Sequence, residues 1–571
     1  LIRSQHPASI LPETDGEFLT PIAPLDTPYR RDILTALGAD PHSERPRAAA
    51  EQTGKDGYVT LRVAYRAALA RIAMIDVCCE DPVEMMPTIG RHLADLAAAA
   101  LEGALAIART EVAEGLGPGL AAPRRGEAVD ALDLAIIGMG KCGARELNYI
   151  SDVDVVYVVA PVEPAAAGAA PNAGAEGESA PLKLTENECS TIGTELVHAL
   201  TRAIMGPAPE PALWEVDANL RPEGKDGPLV RTVESYVQYY KRWAENWEFQ
   251  ALLKARPIAG SAQLGARYAR AIDPFVWESA ARESFVESVQ AMRARVTDNI
   301  PSHQVDRQIK LGPGGLRDIE FTVQLLQLVH GRTDAFLRVR STLEAISALR
   351  EGGYIARADA DQLSSCYRFL RALEHRTQLP RMRRNHLIPD KDRDLRVLGR
   401  AMDPARYPDA DSIRAAIDEV RASVRALHED VFYRPIVAAT AQLREDETSL
   451  HAEGARDRLA AIGYRDPAGA LTHIAALTQG TSRRAAIQRH LLPVFISWLA
   501  GGADPDMGLL NFRILSEDIG DSHWYLALLR DSGVAARRLM TMLPNSRWIA
   551  EALAKRPEAV AWLDDDSELA P

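Results

Sequence analysis

The chain has 571 residues, which is too long for one ordinary domain and predicts roughly three or four folded units. Hydrophobic residues make up 47% and charged residues 25% of the sequence, a balance typical of folded globular proteins and not of disordered ones. The formal net charge of −13 provides no basic field for a nucleic-acid backbone and argues against a nucleic-acid partner.

Cysteine usage and apolar runs bear on the compartment. The five cysteines form no CxxC pair and are odd in number, which suits reduced thiols. The most apolar long window begins at Leu93 and is interrupted by Asp95 and Glu102, so we expect a packed helix there and not a membrane span. The expected localisation is cytoplasmic, with no membrane partner.

The first part of the chain is predicted to be helical. Residues 1 to about 50 are rich in Pro, Asp and Arg and show little periodicity, whereas residues 58–115 carry Ala, Leu and Ile at helical spacing. We therefore predict an N-terminal helical region over residues 1–125.

A small sheet is predicted next, because short β-branched runs replace the helical spacing. The runs are "LAIIG" from Leu134, "VDVVYVV" from Val153 and "ALWEVDANL" from Ala212. Residues 160–182, rich in Ala, Pro and Gly, have too little apolar and aromatic content to bury and predict a mobile loop. This domain is expected over residues 126–305.

After Val230 nearly every segment has helical spacing. The clearest helices are predicted from Pro274 to about residue 299 and from Gly314 to a C-cap at Gly331. A polar stretch from Leu443 predicts a boundary between a helical bundle over 306–442 and a last helical domain over 443–571. The predicted fold class is α+β and predominantly helical.

Carboxylates converge on one face of the predicted sheet. Side chains alternate along a strand, so Asp152 and Asp154 point to the same face, and Glu215 and Asp217 share the polar face of a later strand. Three carboxylates on neighbouring strands suit Mg²⁺ or Mn²⁺, hard ions that bind carboxylate and phosphate oxygens together. We expect Asp217 as the third ligand and keep Glu215 as a second candidate.

A glycine-lysine turn precedes these carboxylates. The glycines Gly138, Gly140 and Gly143 let backbone amides approach a phosphate, and Lys141 adds a positive charge beside them. An Asp-x-Asp pair alone is weak, because such pairs occur by chance on solvated strands. Together with the turn and the later acidic strand, it predicts a site for phosphoryl transfer.

These residues resemble a known family. The stretches "GMGKCGARELNYISDVDVV", "VDANLRPEGKDGPLV", "WEFQALLKARPIAG", "IKLGPGGLRDIEF" and "YRFLRALEHRTQLP" occur in the order found in bifunctional glutamine synthetase adenylyltransferase/adenylyl-removing enzymes. That family belongs to the polymerase-β-like nucleotidyltransferases. The resemblance runs from about residue 60 to the end of the chain.

The resemblance implies one half of a two-unit enzyme. In this family an N-terminal unit removes AMP from a glutamine synthetase tyrosine by phosphorolysis, and a C-terminal unit adds it from ATP. The "ELNYISD" segment and Arg317 resemble the N-terminal, deadenylylating unit. The resemblance thus implies that residues 443–571 lead to a second catalytic unit beyond Pro571. It also implies that Asp152, Asp154 and Asp217 are the catalytic and metal-binding carboxylates.

Further residues in the matched stretches are candidates for binding phosphate or nucleotide, with surface ion pairing as the alternative for each basic residue. They are Gly140, Lys141, Ser151, Arg221, Lys254, Arg256, Lys310 and Arg317. The glycines before Arg317 suit an anion site at a helix N-terminus or tight helix packing.

Four other features receive structural interpretations. We expect Asp318 and Glu320 to form salt bridges, and His375 to be a packed helix residue. The basic run at 381–386 is expected to be a solvated helix end, with docking of an acidic partner as the alternative.

The function predicted from the sequence is phosphorolytic deadenylylation with Mg²⁺ or Mn²⁺. Its partners would be adenylylated glutamine synthetase, inorganic phosphate and adenine nucleotides, with a PII-type signal protein as a further candidate. Forward adenylyl transfer from ATP and a non-catalytic docking module are the alternatives. The intact carboxylate set argues against docking alone, and the net acidity argues against a tRNA-modifying enzyme.

Overall fold

The predicted strand–turn–strand segment lies at the centre of a five-stranded sheet in the computed structural model. The strands are β1 (Leu132–Gly138), β2 (Val153–Pro161), β3 (Val216–Asp217), β4 (Val230–Arg231) and β5 (Arg256–Gly260). The structure describes residues 29–115, 125–162, 182–282, 285–298, 300–432, 456, 459–460, 463–479, 483–520 and 522–564.

The sheet is mixed. Strand β1 pairs antiparallel with both β2 and β5, and a bulge between Ile136 and Ile137 shifts the register against β5. Strand β2 pairs in parallel with the short strands β3 and β4, so the order is β3-β2-β1-β5 with β4 also on β2. The predicted small sheet within a mostly helical chain is confirmed.

The helices that surround the sheet come from both sides of it in the sequence. They are α1 (Tyr29–Ala36), α2 (Gly54–Cys78), α3 (Pro82–Ala113), α4 (Arg125–Asp130), the single turn α5 (Gly140–Gly143), α6 (Glu186–Met205), α7 (Val233–Arg242), α8 (Asn246–Leu252), α9 (Ala262–Glu278) and α10 (Phe285–Asp298).

The remaining helices follow without further strands in the described residues. They are α11 (Leu316–His330), α12 (Thr342–Gly352), α13 (Arg357–Gln378), α14 (Asp392–Met402), α15 (Ala410–Phe432), α16 (Pro467–Thr478), α17 (Arg483–Ala500), α18 (Pro505–Ile519), α19 (His523–Asp531), α20 (Gly533–Met542) and α21 (Arg547–Lys555). Helices α16–α21 enclose a core of their own.

Helix α3 contains the alanine-rich apolar window. Asp81 caps its start by accepting hydrogen bonds from the backbone N–H groups of Val83 and Glu84, and Pro82 occupies its first turn. Most of its residues from Leu93 onward are buried against neighbouring elements, as predicted. Over the part of the chain that the structure describes, no helix has both the length and the apolarity needed to cross a membrane.

Both faces of the central strands are buried, which explains their nearly continuous apolar sequence. Val155 and Tyr157 of β2 pack with α3 and α6, whereas Val156 and Val158 pack with α7 and α9 on the opposite face. The carboxylates lie at the end of the strands where this burial stops.

Two predicted elements differ in length or continuity, and a third agrees with the structure. The run from Ala212 forms only the two-residue strand β3, because the carboxylate of Asp217 accepts a hydrogen bond from the backbone N–H of Asn219 and the chain turns away. The helix from Pro274 is broken at Ser279–Ala281, a short 3₁₀ turn. The predicted C-cap at Gly331 is confirmed.

The sequence did not predict strands β4 and β5, because the chain from Val230 onward was expected to be helical. Strand β5 contains Pro257 and ends at Gly260, residues that weaken a strand signal, and it is tolerated because it pairs with β1 alone. Strand β4 has only two residues. The predicted loop at 160–182 begins later than expected, since β2 reaches Pro161, and its residues 163–181 lie outside the described residues. The polar boundary from Leu443 also falls outside them, and the predicted domain limits stay predictions.

Candidate functional site

Two of the predicted carboxylates are direct neighbours on parallel strands. Asp154 of β2 lies in register with Asp217 of β3. Burial, together with the nearby charges of Asp217 and Asp152, raises the pKa of Asp154 to about 6. The strand pairing therefore concentrates negative charge in a partly buried place, where a cation would be favoured.

The glycine turn lies directly against this carboxylate. Gly140 adopts a left-handed conformation with φ +50°, and a Cβ atom there would lie 2.8 Å from Oδ2 of Asp154. The backbone N–H of Met139 donates to the carbonyl of Asp154 at 2.8 Å. A Cβ on Gly143 would collide with the carbonyl oxygen of Lys254, at 1.9 Å. The turn needs glycine because it is pressed between β2 and the segment before β5.

Lys141 points from the turn toward the helical bundle. Its ammonium lies 3.1 Å from Oε2 of Glu374 on α13, a carboxylate that Arg371 also contacts at 2.6 Å. Burial and the charge of Arg371 lower the pKa of Lys141, opposed by Glu374. Burial alone would raise the pKa of Glu374, but Lys141 and Arg371 hold it well below its usual range. Lys141 is thus anchored beside the carboxylates by a charged pair.

A second group of cations comes from the segment around the start of α11. Lys310 and Arg317 both lie near enough to Asp154 to oppose the rise in its pKa. Arg317 is held by Glu320 at 3.0 Å, whereas no described residue lies within hydrogen-bonding or ion-pairing distance of the Lys310 ammonium. Burial lowers the pKa of Lys310. Lys310 is therefore the predicted phosphate-binding residue whose charge is least satisfied by the protein.

The basic run at 381–386 is exposed at Arg381 and Arg383, as expected of a solvated segment, but Arg384 reaches the site, which was not expected. The guanidinium of Arg384 contacts Asp152, with its Nη1 at 2.8 Å from Oδ1 and 2.6 Å from Oδ2. The run lies in the loop between α13 and α14, which folds back onto the end of the strands where the carboxylates lie. Helical periodicity ends before this run, so the sequence held no signal for that return.

Three other predicted phosphate-binding residues have their charged groups engaged within the protein. Lys254 pairs with Glu146 at 3.1 Å and is buried. Arg256 donates to the carbonyls of Gly143 and Cys142 and supports the turn. Arg221 donates to three backbone carbonyls of the loop that follows β3, which are those of Ala218, Lys225 and Gly227.

Ser151 and Glu215 lie at the rim. Ser151 is half-buried beside Asp152, and among the described residues its hydroxyl has no hydrogen-bond partner. Glu215 is exposed, and its backbone carbonyl accepts from the N–H of Val153 at 2.9 Å. The side chain of Glu215 is placed farther along the strand from Asp154 than that of Asp217.

A buried network that was not predicted from the sequence holds the loop between α5 and β2, called the signature loop below. Arg371 contacts the side chain of Asn148 and the carbonyl of Glu146, which lie between the turn and β2. Arg371 and Glu374 are three residues apart on one helix face, a spacing that could have indicated a paired charge. The expected salt bridges of Asp318 and Glu320 are confirmed, as is the burial of His375.

The carboxylates at the end of β2 and β3 suit a hard divalent cation. Asp154 and Asp217 offer carboxylate oxygens from adjacent strands, the ligand type that Mg²⁺ and Mn²⁺ prefer, and their crowding disfavours two bare charges. Asp152 is engaged by Arg384. Throughout the described ranges, no three His, Cys, Asp or Glu side chains are gathered closely enough to hold one ion.

Two family profiles match the chain. Residues 36–271 match the family described as Glutamate-ammonia ligase adenylyltransferase, and residues 290–432 match the family described as GlnD PII-uridylyltransferase. The first match contains the sheet, the turn and the three aspartates, and the second contains Lys310, Arg317 and Arg384.

Curated proteins named bifunctional glutamine synthetase adenylyltransferase/adenylyl-removing enzyme are similar over most of the chain. The protein of Leifsonia xyli is 51% identical over 555 residues, which is 96% of this chain and 52% of that protein. The protein of Streptomyces coelicolor is 50% identical over 91% of this chain and 49% of its own length. That of Corynebacterium glutamicum is 43% identical over 90% and 46%. The chain spans about half the length of these relatives.

Proposed function

The chain belongs to the family of bifunctional glutamine synthetase adenylyltransferase/adenylyl-removing enzymes, and from this premise we propose that it removes AMP from adenylylated glutamine synthetase by metal-dependent phosphorolysis. The products are ADP and unmodified enzyme. The proposal assigns the chain to the deadenylylating, N-terminal half of its relatives and places its activity in the cytoplasm, in the control of nitrogen assimilation.

One observation carries the proposal: a crowded carboxylate pair lies next to cations that come from another part of the chain. Asp154 and Asp217 meet in register, and the charges of Lys310 and Arg317 act on Asp154. A site that accepts both a divalent cation and an anionic phosphate needs carboxylates to bind the cation and positive side chains beside them to bind the phosphate.

In the proposed reaction, an oxygen of inorganic phosphate attacks the AMP phosphorus of adenylyl-tyrosine in line. The bond between that phosphorus and the tyrosine oxygen breaks, the proton of the phosphate passes to the phenolate, and ADP leaves. The nucleophile is already anionic, so no strong general base is required. Bound Mg²⁺ or Mn²⁺ would supply charge stabilisation at the phosphoryl oxygens.

The side chains then have separate tasks. Asp154 and Asp217 would hold the cation, and Asp152 would join them as the third ligand. Lys310 and Arg317 orient the incoming phosphate, and Lys141 and the backbone of Gly140 face the adenylyl phosphate. Arg256 and Arg221 act indirectly, since their hydrogen bonds fix the glycine turn and the loop after β3.

The test is nucleotide release from adenylylated glutamine synthetase, incubated with the chain and Mg²⁺, with and without phosphate. We expect ADP only when phosphate is present, and an approximately 100-fold or greater loss of rate in Asp217→Asn. Asp226→Asn is the matched control, because Asp226 is exposed in the loop after β3 and away from the strand pairing. Glu215→Gln tests whether the neighbouring acid Glu215 is the ligand instead of Asp217, and it should retain most of the rate.

Two other outcomes would reject the proposed direction. Incorporation of AMP from ATP into unmodified glutamine synthetase, without phosphate-dependent ADP, would establish forward transfer. Binding of glutamine synthetase with no nucleotide chemistry in either direction would establish a docking module.

A PII-type signal protein is a candidate regulator within the same proposal. The support is the match of residues 290–432 to a family named for PII uridylylation. Calorimetric titration of a PII-type protein into the full chain, with the deadenylylation rate measured in parallel, tests it. Neither heat of binding nor a change in rate would remove PII from the proposal.

A further inference from the structure

Arg384 joins the helical part of the chain to the carboxylate site. It stands 232 positions after Asp152 in the sequence, yet its Nη1 lies within 2.8 Å of both carboxylate oxygens. The side chain of Arg384 is 51% exposed and that of Asp152 is 24% exposed. The contact is therefore at the open edge of the site, where either partner can exchange for another ion.

The loop that carries Arg384 is held in place on both sides of it. Met382 adopts a left-handed backbone with φ +46°, and the Asn385 side chain both donates to and accepts from the backbone of Leu387. Next, Nδ1 of His386 lies 2.9 Å from Glu374, the carboxylate that also holds Lys141. Arg384 is thus presented to the site by a built turn, and its neighbour shares a partner with the glycine turn.

Two cations compete for one carboxylate in this geometry. A divalent cation that takes Asp152 as a ligand competes with the guanidinium for that carboxylate, because Arg384 already approaches both of its oxygens. In its observed position the guanidinium is close enough to Lys310 for its charge to lower the pKa of that ammonium, so Arg384 belongs to the same group of cations. Its planar fork matches the oxygens of a phosphate.

We propose that Arg384 exchanges partners during the cycle, balancing Asp152 before the cation binds and contacting the incoming phosphate afterwards. This inference rests on the proposed function and adds to it a phosphate-binding residue from the loop between α13 and α14. It also couples the two ligands: cation binding frees Arg384 for phosphate, and phosphate withdraws Arg384 from Asp152.

The experiment measures Mn²⁺ binding to the full chain by the electron paramagnetic resonance signal of free Mn²⁺, with and without inorganic phosphate. The variants are Arg384→Ala, Arg384→Lys and the control Arg383→Ala. Arg383 is the exposed neighbour and makes no ion pair or hydrogen bond within the described chain. Circular dichroism establishes that each variant is folded.

Without phosphate, Arg384→Ala should bind Mn²⁺ up to about five-fold more tightly than the parent chain, because a competing exposed ion pair of ordinary strength is gone. Arg384→Lys should lie between the two. Phosphate should enhance Mn²⁺ affinity in the parent chain and in Arg383→Ala, and the enhancement should be smaller by about the same factor in Arg384→Ala.

The proposal is overturned if Arg384→Ala matches Arg383→Ala in both Mn²⁺ affinity and phosphate enhancement. It also fails if Mn²⁺ affinity rises but the enhancement by phosphate is unchanged, because Arg384 would then only block the cation. These readouts do not depend on turnover. A parent chain with no phosphorolysis refutes the proposed function, while the binding data still decide whether Arg384 exchanges partners.

Discussion

The ammonium of Lys254 lies 3.1 Å from the carboxylate of Glu146, and both side chains are buried where the sheet meets the helical bundle. Thr342 donates to the same carboxylate from its backbone N–H, and the hydroxyl of Tyr367 donates to it at 3.2 Å. Lys254 therefore joins the segment before β5, the signature loop and helices α12 and α13.

The first prediction is that Lys254→Met is mainly a stability variant. Removing one member of a buried ion pair leaves the other charge without compensation, which costs about 3–5 kcal/mol of the free energy of unfolding. We expect a lower thermal midpoint, and a KM for phosphate unchanged in the folded fraction. Thermal unfolding and phosphate-dependent ADP release measure the two effects.

Lys241→Met is the control for Lys254→Met, because Lys241 is exposed on α7 and its loss should leave the midpoint unchanged. Adding Glu146→Gln to Lys254→Met should recover part of the loss, since no unpaired charge then remains. A normal midpoint with a raised KM for phosphate would instead place Lys254 in the phosphate site.

The second prediction concerns the glycine turn. Gly140→Ala should lower the free energy of unfolding by about 1–2 kcal/mol, the cost of a left-handed residue with a Cβ. It should also abolish most of the activity, because the new methyl group would lie 2.8 Å from Oδ2 of Asp154 and must move that carboxylate. Steady-state kinetics and thermal unfolding test both parts.

Gly126→Ala controls for the general effect of a glycine-to-alanine change. Gly126 lies in the short helix α4, and nothing is within 4 Å of a Cβ atom built there. We expect no loss of activity and a neutral or slightly higher stability. Full activity of Gly140→Ala would show that the turn tolerates displacement of Asp154.

The sequence was sufficient for the turn and for the polar face of each acidic strand because both are local, whereas the pairing of Asp154 with Asp217 joins segments that lie far apart in the chain. Strand alternation brings Asp154 to the polar face, and parallel pairing places Asp217 opposite it. The left-handed backbone at Gly140 is likewise indicated by the residue type, since residues other than glycine rarely adopt this conformation.

The partners of the basic residues were not predictable in the same way. Arg384 meets Asp152, and Lys254 meets Glu146, only after segments more than 100 positions apart have packed together. A sequence pattern shows that such residues are positively charged, but it does not show which carboxylate each of them pairs with in the fold. Strand β5 was missed for a related reason, because its edge position tolerates the proline and glycine that hide it.

The third prediction is that Asp154→Asn stabilises the folded chain at neutral pH. The pKa of Asp154 is raised to about 6 by burial and by Asp217 and Asp152, so the folded state binds a proton more tightly than the unfolded state does. The free energy of unfolding therefore falls as pH rises from about 4 to about 6, and the penalty is complete above pH 6. Its size is about 1–3 kcal/mol.

Thermal unfolding of Asp154→Asn and of the parent chain, with a chelator and between pH 4 and pH 8, measures this effect. The difference between the two midpoints should be small at pH 4 and reach a plateau above pH 6. The exposed Asp226→Asn control should show no such trend. A midpoint for Asp154→Asn at or below that of the parent chain at pH 7.5 would contradict the prediction.

The last prediction separates phosphate binding from stability at Lys310. The ammonium has no described partner and burial lowers its pKa, so the fold carries a cost for its charge at any pH below that lowered value. Lys310→Met should therefore keep or raise the thermal midpoint at pH 7.5. Its KM for phosphate should rise about ten-fold or more, the effect of losing one charged hydrogen bond. Lys391→Met, an exposed change in the same part of the chain, should alter neither quantity. A fall in the midpoint with an unchanged KM would mean that Lys310 supports the fold and that phosphate is held by Arg317 and Lys141.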